Sequence, residues 1–247
     1  MIRIEDYEEL KVRIVNWLKD YYWKYDIKAF VVGVSGGIDS AVVSTLCAET
    51  GFPTYVLTMP LHSKKGNTEL SDVHAKALFK KYSNVRVVNI DLSNTYESLL
   101  FDIDQDFVNN KLANANTKSR LRMVTLYQVA GSVGGIVVGT GNKVEDYGVG
   151  FYTKYGDGGV DIAPIADLYK SEVWELGEYL DVDQRIVDAK PTDGLWDDGR
   201  NDEDQIGATY VELEEAMENK TGVALNILEE YNKKNKHKME PIPTFKL

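Results

Sequence analysis

The chain has a single cysteine, Cys47, among its 247 residues, so it cannot form a disulfide within itself. Because disulfides persist in oxidising compartments, this scarcity favours a reducing one, and we expect a cytoplasmic protein. Basic residues are also few: 28 Lys and Arg stand against 39 Asp and Glu, a formal net charge of -11. Since extended nucleic acid requires a basic surface, this charge argues against nucleic acid as a partner.

Long hydrophobic runs are also missing. No apolar run approaches the roughly 20 residues that a membrane-spanning helix requires, and the N-terminus mixes acidic with apolar residues, unlike a signal peptide. We therefore expect no membrane partner and no export. Hydrophobic residues still make up 43% of the chain, enough for a substantial core, and no linker is evident. We expect one domain over residues 1–247.

Short apolar segments alternate with helical patterns along much of the chain. Strands are expected over residues 28–34, 54–60, 85–90 and 134–140, and helices over 7–21, 39–50, 68–82, 96–111, 117–132 and 171–180. This alternation predicts an α/β fold: a doubly wound parallel sheet with helices on both faces. Ligands of such folds bind beyond the carboxyl ends of the strands, here after Val34, Met59, Asp91 and Val138.

A glycine-rich loop follows the first predicted strand: Gly33-Val34-Ser35-Gly36-Gly37-Ile38-Asp39-Ser40. Its glycines let backbone N–H groups surround a phosphate, and its serines add hydroxyl donors at the positive end of the next helix. A carboxylate beside phosphates indicates a divalent cation, because Mg²⁺ combines carboxylates with phosphate oxygens. Asp39 therefore predicts a magnesium site; the simpler alternative is a tight turn in which Asp39 caps the helix.

Other glycine motifs fit this loop less well. The Walker A motif fails because no lysine follows, and the dinucleotide fingerprint fails because Ser35 stands where a glycine is required. The loop does satisfy G-x-S-x-G, and His237 lies downstream, so a serine hydrolase with Ser35 as nucleophile is the second hypothesis. The serine hydrolase hypothesis leaves Asp39 and Ser40 unexplained. A non-enzymatic protein that binds ATP without turnover is a third hypothesis.

A second glycine loop, Gly139-Thr140-Gly141-Asn142-Lys143-Val144-Glu145, follows the fourth predicted strand. Its glycines allow close backbone approach, Thr140 offers a hydroxyl to adenine or phosphate, and Glu145 is a candidate second carboxylate for the metal. Alone this segment fits a simple loop. Together with the first loop it predicts a shared nucleotide site.

The first loop resembles the loop of the ATP-pyrophosphatase (PP-loop) enzymes, which cleave ATP between the α- and β-phosphates. Later segments resemble, in order and spacing, the ammonia-dependent NAD synthetase family. These segments are residues 116–123, the run FYTKYGDGGVD at 151–161, Pro164, Leu168-Tyr169-Lys170, Pro191-Thr192 and His237-Lys238. Two stretches depart from the pattern of many members: Gly141-Asn142-Lys143-Val144, and Asp193-Gly194 after Thr192.

The resemblance implies an adenine nucleotide α-hydrolase-like fold and a reaction. ATP-dependent amidation of deamido-NAD by ammonia, through an acyl-adenylate, would give NAD, AMP and pyrophosphate. The resemblance assigns ATP to residues Gly33 to Ser40, Thr140, Lys170 and Thr192, and Mg²⁺ to Asp39 and Glu145. It assigns deamido-NAD to Arg120, Lys154, Asp161, His237 and Lys238. Asp39, Lys170 and Asp157 are the expected catalytic residues, and Asp157 and Asp161 are the candidates for taking a proton from ammonium.

The resemblance also implies a homodimer. No glutaminase domain is expected within residues 1–247, so free ammonia or a separate glutaminase subunit would supply the nitrogen. Another PP-loop ligase is the remaining alternative among enzymes. Structural roles are expected elsewhere: Cys47 in the core, His62 and His74 at the surface or an edge, and Asp197–Asp204 in a solvated loop.

Overall fold

Four parallel strands form one sheet in the computed structural model. The structure describes residues 3–62, 65–192, 194–195 and 201–246, and it does not describe the side chains of residues 65–68. The strands are β1 (Phe30–Gly33), β2 (Thr54–Thr58), β3 (Val85–Asn89) and β4 (Ile136–Val137). Their order is β3-β2-β1-β4, and Phe30 pairs with both Thr54 and Ile136. Because the order reverses between β1 and β4, a crevice is expected at their carboxyl ends. The predicted parallel sheet is confirmed.

Helices surround this sheet. The described α-helices are α1 (Tyr7–Lys24), α2 (Ile38–Glu49), α3 (Lys65–Lys81), α4 (Ser93–Asp102), α5 (Gln105–Val108), α6 (Lys111–Val133), α7 (Lys170–Tyr179), α8 (Gln184–Val187), α9 (Asp202–Ile206), α10 (Tyr210–Asn219) and α11 (Leu225–Met239). A π-helix spans Lys143–Val149. Among the described residues, no helix has both the length and the apolar character needed to cross a membrane.

Both faces of the sheet are covered, as continuously apolar strands require. Successive side chains of a strand point to opposite faces, so Phe30 and Val32 pack with α1, α2 and α7. Val31 packs on the other side with Val137, beneath apolar residues of α4 and α6. The sheet therefore lies between two helical layers.

A separate apolar cluster lies beside the sheet and joins the C-terminal helices to the π-helix. Tyr210 and Leu213 of α10 and Leu228 of α11 pack there against Val144 and Val149. This cluster places the C-terminal helices next to the second glycine loop. Neither α10 nor α11 was anticipated from the sequence.

Several predicted boundaries are wrong. The helix expected over 96–111 is divided into α4 and α5, because Asp104 caps a new helix at α5. The next helix, α6, begins at Lys111, because the Asn110 side chain caps it by accepting from Ala113 N. The strand expected over 134–140 has only two residues. Beyond it, Val138 N still donates to Val31 O, and Val138 also forms an isolated bridge with Ile162. Within the expected solvated loop, 197–200 lie outside the described residues and 202–204 belong to α9.

Candidate active site

A cleft of about 680 Å³ lies at the carboxyl ends of β1 and β4, in the size range of small-molecule sites. The residues predicted to act in the site line it, with two exceptions: Gly36 and Asp161. The lining set comprises Gly33, Val34, Ser35, Gly37, Ile38, Asp39, Ser40, Arg120, Thr140, Glu145, Lys154, Asp157, Lys170, Thr192, His237 and Lys238. The fold therefore gathers in one place residues as far apart in the chain as Gly33 and Lys238.

The first loop folds as a compact turn ahead of α2. The Ser35 and Ser40 Oγ atoms lie 3.2 Å apart, and Ser40 Oγ donates to Gly37 O at 3.0 Å. Gly36 has φ 93°, a conformation that favours glycine. Gly37 occupies the N-cap of α2 without a side-chain cap, so the first N–H groups of this helix are available to an anion. Asp39 lies within the helix, so the interpretation of Asp39 as its cap is wrong.

Lys170 holds the two predicted metal carboxylates together. Its Nζ atom donates to Asp39 Oδ2 at 2.5 Å and to Glu145 Oε1 at 3.0 Å. Lys170 is 2% exposed, and the Asp39 and Glu145 side chains are each 17% exposed. Burial alone lowers the pKa of Lys170, but the charges of the two carboxylates outweigh it and raise the pKa above its ordinary value. The lysine therefore stays charged.

The two carboxylates differ in their surroundings. Burial raises the pKa of Asp39 even though Lys170 opposes it. Burial acts on Glu145 as well, but Lys170 and the Tyr210 hydroxyl together outweigh it and keep the pKa of Glu145 below its ordinary value. The two carboxylates therefore share one lysine, which donates to both.

Asn142 connects the same two carboxylates. Its Nδ2 donates to Asp39 Oδ1 at 3.1 Å, while its Oδ1 accepts from the backbone N of Val144 and of Glu145 at 3.0 and 3.1 Å. Asn142 is fully buried. It therefore caps the π-helix that carries Glu145 and orients Asp39 at the same time.

The donor set fits Mg²⁺ that is shared with a nucleotide. Asp39 Oδ2 and Glu145 Oε1 both accept from Lys170 Nζ and so lie close together, and two carboxylates completed by phosphate oxygens are a common Mg²⁺ environment. Across the residues that the structure describes, no group of three or more His, Cys, Asp or Glu has the geometry of a metal site. Asp39 and Glu145 would therefore hold the cation together with phosphate oxygens of ATP.

Basic side chains form another wall of the cleft. Lys238 Nζ donates to Tyr152 O at 2.7 Å, and Tyr152 OH donates back to Lys238 O at 2.8 Å. Arg120 Nε donates to Lys154 O at 3.3 Å. Burial lowers the pKa of Lys238. With the exposed His237 beside them, these cations are suited to an anionic substrate.

The two candidate proton acceptors lie in different places. Asp157 lines the cleft, and its Oδ1 accepts from Ser119 Oγ at 2.6 Å and from Thr153 N at 3.0 Å. Asp161 is not among the lining residues. Its Oδ2 accepts from Val137 N at 2.7 Å and its Oδ1 from Tyr127 OH at 3.1 Å, so it is held against the end of β4.

Three further polar residues of the site were missed. Ser119 on α6 anchors Asp157. Tyr210 OH donates to Glu145 Oε1 at 2.6 Å. Asp146 lines the cleft, and burial together with the neighbouring carboxylates raises its pKa to about 8. Ser119 and Asp146 lie inside stretches that the resemblance covers or adjoins, whereas Tyr210 lies in no motif.

The geometry does not support a Ser35 nucleophile. Ser35 Oγ lies near Ser40 Oγ and Gly37 N, and within the described part of the chain no hydrogen bond joins it to a histidine. His74 is buried beside Ser44, with His74 Nε2 2.9 Å from Ser44 Oγ, so its expected surface position is wrong. Cys47 is buried in the core, as expected. His62 is exposed and pairs with Glu97.

Comparisons with known proteins point to one family. The family model described as NAD synthase matches residues 10–242. The NH(3)-dependent NAD(+) synthetase of Mycoplasmopsis pulmonis is 41% identical over 84% of this chain and 77% of the relative, and that of Finegoldia magna is 34% identical over 97% of both. The solved structure of NMN synthetase from Francisella tularensis matches with a TM-score of 0.92 and 35% identity, over 99% of this chain and 100% of that one.

Proposed function

The chain belongs to the NAD synthase family, and we propose that it amidates deamido-NAD with ammonia and ATP, giving NAD, AMP and pyrophosphate. The predicted family and the adenine nucleotide α-hydrolase-like fold are confirmed. The observation that carries the proposal is the convergence of Asp39, Glu145 and Lys170 beside the glycine-serine loop, within one cleft. The serine hydrolase alternative is not favoured.

The first step activates a carboxylate that is otherwise inert toward ammonia. A carboxylate oxygen of deamido-NAD attacks the α-phosphorus of ATP, the bond from that phosphorus to the bridging oxygen breaks, and pyrophosphate leaves. The product is an acyl-adenylate, in which the leaving group of the acyl carbon has become a phosphate. No protein nucleophile takes part, so catalysis depends on positioning and on neutralising charge.

The loop Gly33 to Ser40 and the lysine are proposed to act on the phosphates. Backbone N–H groups at the start of α2 and the hydroxyls of Ser35 and Ser40 would hold the pyrophosphate portion, with Thr140 and Thr192 on other parts of ATP. Lys170 has three N–H donors and uses two on Asp39 and Glu145, which leaves one for a departing phosphate oxygen. Bound Mg²⁺, held by Asp39 and Glu145, would supply further charge stabilisation as pyrophosphate leaves.

The basic wall is proposed to hold deamido-NAD. Arg120, Lys154 and Lys238 suit its pyrophosphate, with His237 beside them. Asp161 remains a proposed ligand of a ribose hydroxyl. Since its carboxylate is already bonded to Val137 N and Tyr127 OH, this role requires the substrate to share those oxygens or to displace Tyr127.

The second step forms the amide. Ammonia attacks the acyl carbon, its nitrogen releases one proton to solvent, the carbon-to-oxygen bond breaks, and AMP leaves with that oxygen on its phosphate. Ammonium must lose a proton before attack, and Asp157 is the better placed of the two candidates because it lines the cleft. The Ser119 hydroxyl fixes its orientation.

The assembly and its setting are also proposals. We infer that residues 1–247 act as one synthetase unit in a homodimer, supplied by free ammonia or by a glutaminase in trans. Large apolar side chains of α4 to α6 are exposed, among them Phe101 (86%), Phe107 (71%) and Val124 (57%), which supports a partner on this face. The single buried Cys47 supports the cytoplasm.

A second substrate is favoured by one observation. The NMN synthetase structure matches nearly all of both chains, which makes nicotinate mononucleotide a candidate acceptor for this chain too. This compound carries the same carboxylate on the same ring but lacks the AMP half of deamido-NAD. The two substrates would share the chemistry and differ in how much of the basic wall they use.

Product analysis tests the proposal. Purified protein is incubated with ATP, Mg²⁺, ammonium and either deamido-NAD or nicotinate mononucleotide, and each component is omitted in turn. We expect AMP and pyrophosphate in equal amounts with the amide, and no multiple-turnover formation of these products when any component is missing. ADP as the product, or turnover without either acceptor, would refute the proposal. The ratio of kcat/KM values for the two acceptors decides between the substrates.

A further inference from the structure

Tyr210 reaches the metal carboxylates from the C-terminal helices. Its hydroxyl donates to Glu145 Oε1 at 2.6 Å, the same oxygen that accepts from Lys170 Nζ at 3.0 Å. Tyr210 is the first residue of α10 and only 1% exposed. The carboxylate of Glu145 is thus held by two donors from separate elements.

The ring of Tyr210 is fixed as firmly as its hydroxyl. It packs edge-on against Trp174, with ring centroids 5.9 Å apart at 82°, and Lys170 Nζ lies 5.0 Å from its centroid. Trp174 and Lys170 both belong to α7, so the ring is held against the helix that carries the lysine. Asp202 Oδ2 lies 3.5 Å from the same hydroxyl.

We propose that Tyr210 is a positioning residue that orients Glu145 for the Mg²⁺ that accompanies ATP. The inference rests on the proposed function and adds a residue to it. A glutamate side chain has several rotatable bonds, and Lys170 alone would draw the carboxylate toward itself and away from a cation. The Tyr210 hydroxyl holds Oε1 from a second direction and so limits that rotation. Mutation of a residue that orients a metal ligand typically lowers metal affinity by about 10- to 100-fold.

Tyr210→Phe is a suitable test because it removes only the hydroxyl and keeps the ring that contacts Trp174 and Lys170. Calorimetry measures the affinity for an ATP analogue whose α,β-bridging oxygen is replaced by methylene, with and without Mg²⁺. In the wild type we expect Mg²⁺ to strengthen binding. In Tyr210→Phe we expect this Mg²⁺-dependent gain to fall by about tenfold, while the affinity without Mg²⁺ is unchanged.

Tyr82→Phe is the matched control. The Tyr82 hydroxyl also donates to a glutamate, Glu49 Oε1, but neither residue is among those that line the cleft. We expect this variant to keep the full Mg²⁺-dependent gain. Thermal unfolding of both variants shows whether they remain folded.

A double-variant cycle with Glu145→Gln tests the route of the effect. If Tyr210 acts through Glu145, adding Tyr210→Phe to Glu145→Gln should change the gain by less than twofold. An equal loss of affinity with and without Mg²⁺, or an unchanged gain in Tyr210→Phe, would overturn the inference.

The wild-type controls separate this inference from the proposed function. If the wild type forms the amide but Tyr210→Phe keeps the full Mg²⁺-dependent gain in affinity, the inference alone is overturned. Wild-type protein that forms no amide from either acceptor overturns the proposed function. A wild type whose analogue binding does not respond to Mg²⁺ overturns the inference together with the metal assignment.

Discussion

The Nζ atom of Lys170 lies 2.5 Å from Oδ2 of Asp39, although the two residues are 131 positions apart in the chain. Asp39 comes from the helix after β1, and Lys170 begins the helix that packs against it. Breaking a buried ion pair by removing one partner is costly, because the other charge stays behind in the protein. The pair should therefore matter for stability as well as for the proposed chemistry.

Replacing Lys170 with methionine should destabilise the protein when no Mg²⁺ is present. Asp39 and Glu145 would then face each other without a cation, at a cost of about 3–5 kcal/mol in the free energy of unfolding. Mg²⁺ added with a non-hydrolysable ATP analogue should restore part of this loss, because the cation would lie beside the same carboxylates. Urea unfolding with and without Mg²⁺ and the analogue measures both effects.

Lys143→Met is the control for that experiment. Lys143 Nζ also pairs with a carboxylate, Asp167 Oδ1 at 2.7 Å, but the Asp167 side chain is 85% exposed, so about 1 kcal/mol or less should be lost. Equal free energies of unfolding in the two variants would show that the buried ion pair stabilises the protein no more than the exposed one.

Ser35 should behave as a phosphate ligand and not as a nucleophile. A fluorophosphonate should leave Ser35 unlabelled, because no histidine is bonded to it among the described residues. Ser35→Ala should raise KM for ATP by roughly tenfold, the effect of one hydrogen bond, and should keep measurable turnover. A fluorophosphonate adduct on Ser35 by mass spectrometry would contradict this role.

Gly135 should not tolerate a side chain. A Cβ atom there would lie 2.6 Å from the Ala29 carbonyl oxygen, so Gly135→Ala should lower the free energy of unfolding by about 1–3 kcal/mol. Gly131, in α6, has no atom within 4 Å of such a Cβ, and Gly131→Ala should add about 0.5–1 kcal/mol. Urea unfolding compares the two, and stabilisation by both would refute the packing next to β4.

Acid should destabilise the fold through His74. Burial lowers the pKa of His74 to about 4, despite opposing effects of Ala41 O and Asp183, whereas an unfolded histidine titrates near 6.5. Between these values the unfolded chain binds a proton that the folded chain does not. Stability should therefore fall as pH drops from about 6.5 to 4, by roughly 2–3 kcal/mol. Urea unfolding at several pH values, with His74→Gln for comparison, isolates this contribution. The same slope of unfolding free energy against pH in wild type and variant would contradict it.

Much of the fold was predictable because the strands are local apolar runs. A segment such as Phe30–Gly33 has its apolar character and its turn residues within a few positions, so the pattern alone indicates a buried parallel strand. The end of β4 was not predictable in this way. Val138 pairs with Ile162, and this pairing depends on the position of the segment around Ile162, which is distant in the sequence.

The site was predictable to the same extent. Asp39 and Glu145 each follow a strand that ends at one edge of the sheet, so their approach follows from topology. Tyr210 lies in a helix without any motif, and only the packing of α10 against the π-helix brings its hydroxyl to Glu145. His74 was misplaced because a single histidine in a polar helical stretch gives no sign of the Ser44 hydroxyl that satisfies it.

The most direct measurement of the central claim follows one oxygen atom. Deamido-NAD is prepared with ¹⁸O in both oxygens of its nicotinate carboxylate and is turned over with ATP, Mg²⁺ and ammonium. Attack of the carboxylate on the α-phosphorus predicts AMP that carries one ¹⁸O and NAD that keeps the other in its amide. AMP without ¹⁸O, or formation of ADP, would contradict an acyl-adenylate in this cleft.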